Sequence, residues 1–302
     1  MTLNYPCNAN GMYILSRTDI EYIADRILRE YMPEALRGER AIDIVALAEE
    51  GLNLTITELT LDTDEKVLGA LYIEDSGDIA CFDETGVPNT VKARAGTIVI
   101  NVPLNGKLSM ERKRFTIAHE CAHWILHRAY RALAKRRFRI AAQEPPNVVC
   151  RGMGAEQTRH ELKTDEDWAE WQANTLASAL LMPNQSVREY AERYLSFWDL
   201  DSFPEGGYSR ARIEAVDGIS SRFMVSTRAA ELRLTQLGLI QRAPAQPKPA
   251  VYSQPNPRYN APDPELGAWL FNSTYLGKFS TRGGQEWINQ IVRYMVRLQR
   301  SA

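Results

Sequence analysis

Three of the four histidines in this chain of 302 residues fall at positions 119, 123 and 127, and two of them enclose His119-Glu120-Cys121-Ala122-His123. On a helix, residues four apart share a face, so both imidazoles can reach one Zn²⁺. The carboxylate of Glu120, between them, then stands beside a water that it can deprotonate as a general base. The alternative is two ordinary helix histidines near a surface, but with four histidines in the chain, chance gives this pattern in fewer than about 1% of cases. A catalytic zinc takes a third protein ligand. The metzincin arrangement is excluded, because Ala129 stands where its third His would be. His127 lies about 6 Å of helical rise beyond His123 and reads better as a packed or capping histidine. Acids on a second helix are the other source, at Asp165, Glu166, Asp167 and Glu170. Glu170 shares a stripe with Ala173, Asn174, Ala177 and Leu181, and a carboxylate on such a face needs a partner, which a metal can be.

These residues require scaffolding. The histidine cluster sits on a helix predicted from Ser109 to His127 or beyond, and Glu170 on one from Asp165 to Met182, halted by Pro183. An earlier helix follows the capping residues Ser16 to Asp19 and buries Ile20, Ile23, Ala24, Ile27 and Leu28. A second, from Ile42 to Glu50, is expected to close at Gly51 with a positive φ. Between them and the histidine helix, Leu54–Leu59, Val67–Ile73, Ile79–Phe82 and Thr97–Val102 are short β-branched runs separated by turn residues. They predict a small, mostly antiparallel sheet, so the fold class is α+β. Helical segments near 184–195 and 208–238 follow. The second, with a turn expected at Asp217-Gly218 and a cap at Ser226, can be read as a helix-turn-helix. Seven of the fifteen prolines crowd 244–264, which marks a linker, and an amphipathic element follows near 285–299.

The run Arg114-Phe115-Thr116-Ile117-Ala118-His119-Glu120-Cys121-Ala122-His123, followed by Glu170-Trp171-Gln172-Ala173-Asn174-Thr175-Leu176-Ala177-Ser178-Ala179-Leu180-Leu181-Met182-Pro183, resembles the two signature helices of the ImmA/IrrE family of metallopeptidases. The likeness covers roughly residues 17 to 240. It departs from the pattern at Leu176, where Phe is common, and in a long 129–164 connection. The resemblance implies a zincin-like metallopeptidase domain over 17–200 after an N-terminal lead (1–16). A helix-turn-helix-like segment (201–241), the Pro-rich linker (242–266) and the C-terminal element (267–302) complete the chain. It implies a gluzincin-like site with His119, His123 and Glu170 as zinc ligands and Glu120 as base. It also implies a substrate: a partner helix-turn-helix repressor, whose cleavage derepresses stress, mobile-element or defence genes.

Several further expectations concern substrate and control. Thr97–Val102 is expected to be an edge strand that pairs with an extended substrate. His160, Tyr190 and Tyr208 are candidates to assist the oxyanion. Cys150, between the ligand helices, is a candidate inhibitory zinc ligand that keeps the protease latent. Arg131, Lys135, Arg136 and Arg137, interleaved with aromatics, are a candidate contact for single-stranded DNA, against the plainer reading of a solvated basic face. The competing function is a DNA-binding transcriptional regulator with a metal-binding sensor domain. The 36 basic and 38 acidic residues leave a net charge of −2, which lends that reading little support. Four scattered cysteines, no apolar run of about 18 residues and no signal-peptide start point to reduced thiols in the cytoplasm and no membrane.

Overall fold

The structure is a computed structural model, and it describes residues 3–38, 40–62, 67–104, 108–140, 150–151, 162–195 and 210–240. The Pro-rich linker and the C-terminal element lie outside the described residues. Helix α1 (Arg17–Tyr31) starts from a capping box in which Ser16 and Asp19 satisfy each other's backbone N–H, and its expected apolar face is buried. Helix α2 (Ile44–Ala46) is capped by Asp43 and widens into a π turn over Leu47–Gly51. Gly51 does not take the expected positive φ; the left-handed residue is Asn53, at 54°. Gly51 instead allows close approach, since a Cβ there would lie 3.2 Å from both Leu47 Cδ1 and Tyr31 Cγ.

The strands are β1 (Thr55–Leu59), β2 (Val67–Tyr72), β3 (Ser76–Phe82), β4 (Pro88–Ala93), β5 (Thr97–Asn101) and β6 (Cys150–Arg151). They form a four-stranded sheet ordered β1-β5-β2-β6 and a separate β3-β4 ribbon. β1 and β5 run parallel, and the other pairs are antiparallel. β5 is therefore not the expected edge strand: it is central, with every residue buried. The run is apolar because both its faces are covered, and a short β-branched run reads alike in either position. β4 carries no apolar alternation, being exposed at its first five residues, and is specified by its backbone pairing with β3.

Beyond the first strands come α3 (Met110–Ile140), α4 (Asp165–Leu181), α5 (Asn184–Leu195), α6 (Arg210–Phe223) and α7 (Thr227–Gln236). α3 packs on α4 and on β2 and β5, and α1 packs on α4, around one continuous core. A second capping box, Thr164 with Asp167, fixes the start of α4. α6 passes through Asp217-Gly218 without the expected turn. Gly218 is where α6 meets Tyr190, whose hydroxyl would lie 2.3 Å from an added Cβ. The turn comes at Met224, at a φ of 53°, and Ser226 caps α7. α7 turns its arginines inward or pairs them: Arg233 is fully buried against Met182 O and Glu21, and Arg228 pairs with Glu231. Among the described residues, no helix is long and apolar enough to cross a membrane.

Candidate metal centre

The i, i+4 spacing on α3 directs His119 and His123 to one side, with Glu120 on the turn between them; all three are buried. The Nε2 atoms of the two histidines stand 3.0 Å apart. Glu170, from the first half of α4, closes the group with Oε2 3.3 Å from His119 Nε2 and Oε1 3.2 Å from His123 Nε2. One ligand atom from each residue lies within 4.8 Å of the others. Two nitrogens and a carboxylate converging on one point fit a divalent metal of the zinc type, and Glu170, a third exposed, keeps the point open on one side.

Nearby acids are committed elsewhere. Asp165 accepts hydrogen bonds from Asn8 (2.9 Å) and Asn10 (2.5 Å), Glu166 pairs with Arg131 at 3.2 Å, and Asp167 caps α4. Only Glu170 of the four joins the histidines. The helix pair that builds this group also carries the sequence relationship: residues 90–235 match the model of the peptidase M78 family, described as the IrrE N-terminal-like domain. This domain belongs to the ImmA/IrrE family of metallopeptidases. The matched residues begin at β4, so α1 and β1, which the sequence likeness includes, precede them. No curated protein matches the chain.

In this ImmA/IrrE domain the charges of the three candidate ligands are set by burial and by one another. Burial opposes ionisation of Glu170, but the His119 and His123 imidazoles beside it outweigh that and hold the carboxyl well below the usual carboxylate range. Burial, with Arg131 alongside, pushes His123 well below the ordinary imidazole value, so both ring nitrogens are not protonated together at neutral pH. Burial and the charge of Glu120 push the Cys121 thiol up, which leaves it inert inside the core.

Two polar residues on the buried face of α4 were not read as functional from the sequence. Asn174 Oδ1 lies 3.0 Å from His119 Nδ1, and Gln172 Oε1 lies 3.0 Å from His127 Nε2. Their signal was their chemistry: an amide within an apolar stripe needs a partner. His127 sits behind His123, with the two Nδ1 atoms 3.0 Å apart, and is not in the group that could hold a metal.

Arg131 is not the exposed nucleic-acid contact expected of it. It is buried, with Nη2 3.0 Å from His123 Nδ1 and 3.7 Å from Glu170 Oε1. Four residues beyond His127, it lies on the inner face of α3, and the basic run conceals that periodicity. The side chains of Lys135, Arg136 and Arg137 lie outside the described residues, as do His160 and Tyr208. Tyr190 packs against Gly218 of α6.

The backbone of Cys150 pairs with β2 opposite Gly69; its side chain lies outside the described residues. A Cβ at Gly69 would fall 2.6 Å from Thr116 Cγ2 and 3.9 Å from Glu120 Oε1. β2 therefore runs directly over the Glu120 turn of α3, and β6 is the next strand outward.

Proposed function

We propose that this chain is a zinc-dependent, site-specific endopeptidase that cleaves a partner helix-turn-helix repressor in the cytoplasm and so derepresses stress, mobile-element or defence genes. The observation that carries the catalytic part is the convergence of His119 Nε2, His123 Nε2 and the Glu170 carboxylate within 4.8 Å, with Glu120 on the intervening turn. A zinc ion held by His119, His123 and Glu170 would supply Lewis acidity and lower the pKa of water at the site toward about 7. Glu120 takes the proton from the attacking water and delivers it to the leaving amine nitrogen. Its burial, with β2 above it, keeps bulk water from competing for that proton.

Substrate geometry follows from the sheet. The outer edge of β2, not β5, is the edge beside the Glu120 turn, and an extended peptide can add there by backbone pairing. A cleft of about 520 Å³ lined by Leu68, Arg112, Phe115, Val225 and Thr227 adjoins this edge and suits a substrate side chain. The Phe115 ring lies 6.2 Å from that of His119, which supports reading the cleft as a neighbour of the scissile bond. β6 already pairs with β2 at Gly69. That pairing supports latency: the Cys150 strand occupies the edge, its thiol serves as an inhibitory zinc ligand, and substrate binding or a signal displaces both. Single-stranded DNA is the signal we assign, through Lys135, Arg136 and Arg137.

The alternative, a DNA-binding regulator with a metal-binding sensor, would need α7 to offer basic side chains. The inward or paired arginines of α7 favour packing against the peptidase core. The test is to incubate the zinc-loaded protein with the candidate repressor and identify fragments by mass spectrometry. A single internal cut, abolished by a chelator, is expected; an intact repressor would remove it as the substrate.

A further inference from the structure

A chain of hydrogen bonds leads from the candidate metal ligand His123 to the N-terminal segment of the protein, and its polarity is fixed at the far end. Gln172 Nε2 lies 2.8 Å from Tyr13 O, a carbonyl that can only accept. The amide of Gln172 is thereby oriented, and its Oε1 faces His127 Nε2 at 3.0 Å. Oε1 also only accepts, so the single proton of His127 sits on Nε2 and its Nδ1 offers a lone pair. That lone pair faces His123 Nδ1 at 3.0 Å. The proton between the two rings belongs to His123, which leaves His123 Nε2 bare and aimed at His119 and Glu170.

Arg131 competes for the same atom. Its Nη2 stands 3.0 Å from His123 Nδ1. Were Arg131 the donor there, His123 would carry its proton on Nε2, 3.2 Å from Glu170 Oε1, in the position a metal must take. Glu166, 3.2 Å from the same Nη2, gives the guanidinium another acceptor.

We propose that His127 is a positioning residue that holds His123 in its metal-ligating tautomer, with Gln172 and the Tyr13 carbonyl as its anchors. This rests on the zinc-site reading above, and it accounts for a buried imidazole that the three-ligand site leaves unused. Outer partners of a ligating histidine fix its tautomer and orientation, and losing one costs about 10–100-fold in metal affinity.

The experiment measures zinc affinity by chelator competition for the wild type, His127→Leu and His127→Asn, with the thermal unfolding of each zinc-free form recorded alongside. Leu fills space but accepts no hydrogen bond, whereas Asn places Oδ1 near the lost Nδ1. The Leu variant is expected to lose about 10–100-fold in affinity, and Asn to recover most of it. Equal affinity in wild type and Leu, or equal losses in Leu and Asn, would overturn the proposal. A wild type that takes up no zinc would overturn the metal-site reading itself, a distinguishable result. If His127→Leu does not fold, long-range ¹H–¹⁵N spectra of the zinc-loaded wild type decide. His127 protonated on Nε2 is expected, and protonation on Nδ1 would overturn the proposal.

Discussion

Asn174 Oδ1 and His119 Nδ1 stand 3.0 Å apart across the α3–α4 interface. A carbonyl oxygen accepts only, so His119 carries its proton on Nδ1 and turns the Nε2 lone pair toward His123 and Glu170. Replacing Asn174 by Leu is expected to weaken zinc binding by about 10–100-fold, and Asn174→Asp, which keeps an acceptor, to retain most of it. Chelator-competition titrations measure both. Equal affinity in all three proteins would show that this amide does not orient the ligand.

The pairing of Cys150 with Gly69 bears on latency. If the Cys150 thiol restrains the site, Cys150→Ala raises basal cleavage of the repressor without any added signal. Initial rates of fragment formation measure this, and a rate equal to wild type would sink the cysteine switch.

Gly69 lies where β2 crosses α3. An added Cβ meets Thr116 Cγ2 at 2.6 Å and the Val99 carbonyl oxygen at 2.8 Å, and the carbonyl belongs to the adjoining strand. Gly69→Ala should therefore destabilise the domain by about 1–3 kcal/mol, as overpacking does. Chemical denaturation reads this, and an unchanged midpoint would mean that the strand can move off the helix.

Buried neutral histidines make the zinc-free protein sensitive to acid. Burial lowers His127 from 6.5 to about 3, so between these values the unfolded chain binds more protons than the folded one. The stabilisation is complete above pH 6.5 and declines as pH falls. For one such histidine the loss between pH 7 and pH 5 is about 2 kcal/mol, or about 4–8 °C in melting temperature for a domain of this size. His123 acts in the same direction. Melting curves of chelated protein at the two pH values provide the check; a flat response would contradict neutral burial.

Much of the site was legible because helical spacing is a strong constraint. The four-residue interval placed His119 and His123 together, and the small residues along the Glu170 stripe marked a face packed on another helix. Asn174 and Gln172 were visible as amides in that stripe, but their partners depend on how α4 docks on α3, which spacing does not determine. Arg131 was misread for a related reason: its neighbours in sequence are basic, yet its helical neighbours are His123 and His127. In the sheet, the alternation that identifies a half-buried strand is missing from both β5, covered on both faces, and β4, largely exposed. The order of strands, and hence which edge lies beside Glu120, is a tertiary property. Glycines carried a similar ambiguity: Gly51 and Gly218 signalled turns but serve close contacts with Tyr31 and Tyr190.

The most direct test of the account compares repressor cleavage by wild type and Glu120→Gln, with zinc content measured on the same samples. Glu120 is buried between the two histidines and is assigned the proton transfer, not a metal bond. Both proteins should hold equal zinc, and cleavage by Glu120→Gln should fall by about 10²–10⁴-fold. Cleavage at the wild-type rate by zinc-loaded Glu120→Gln would contradict the assignment of this site as the catalytic centre.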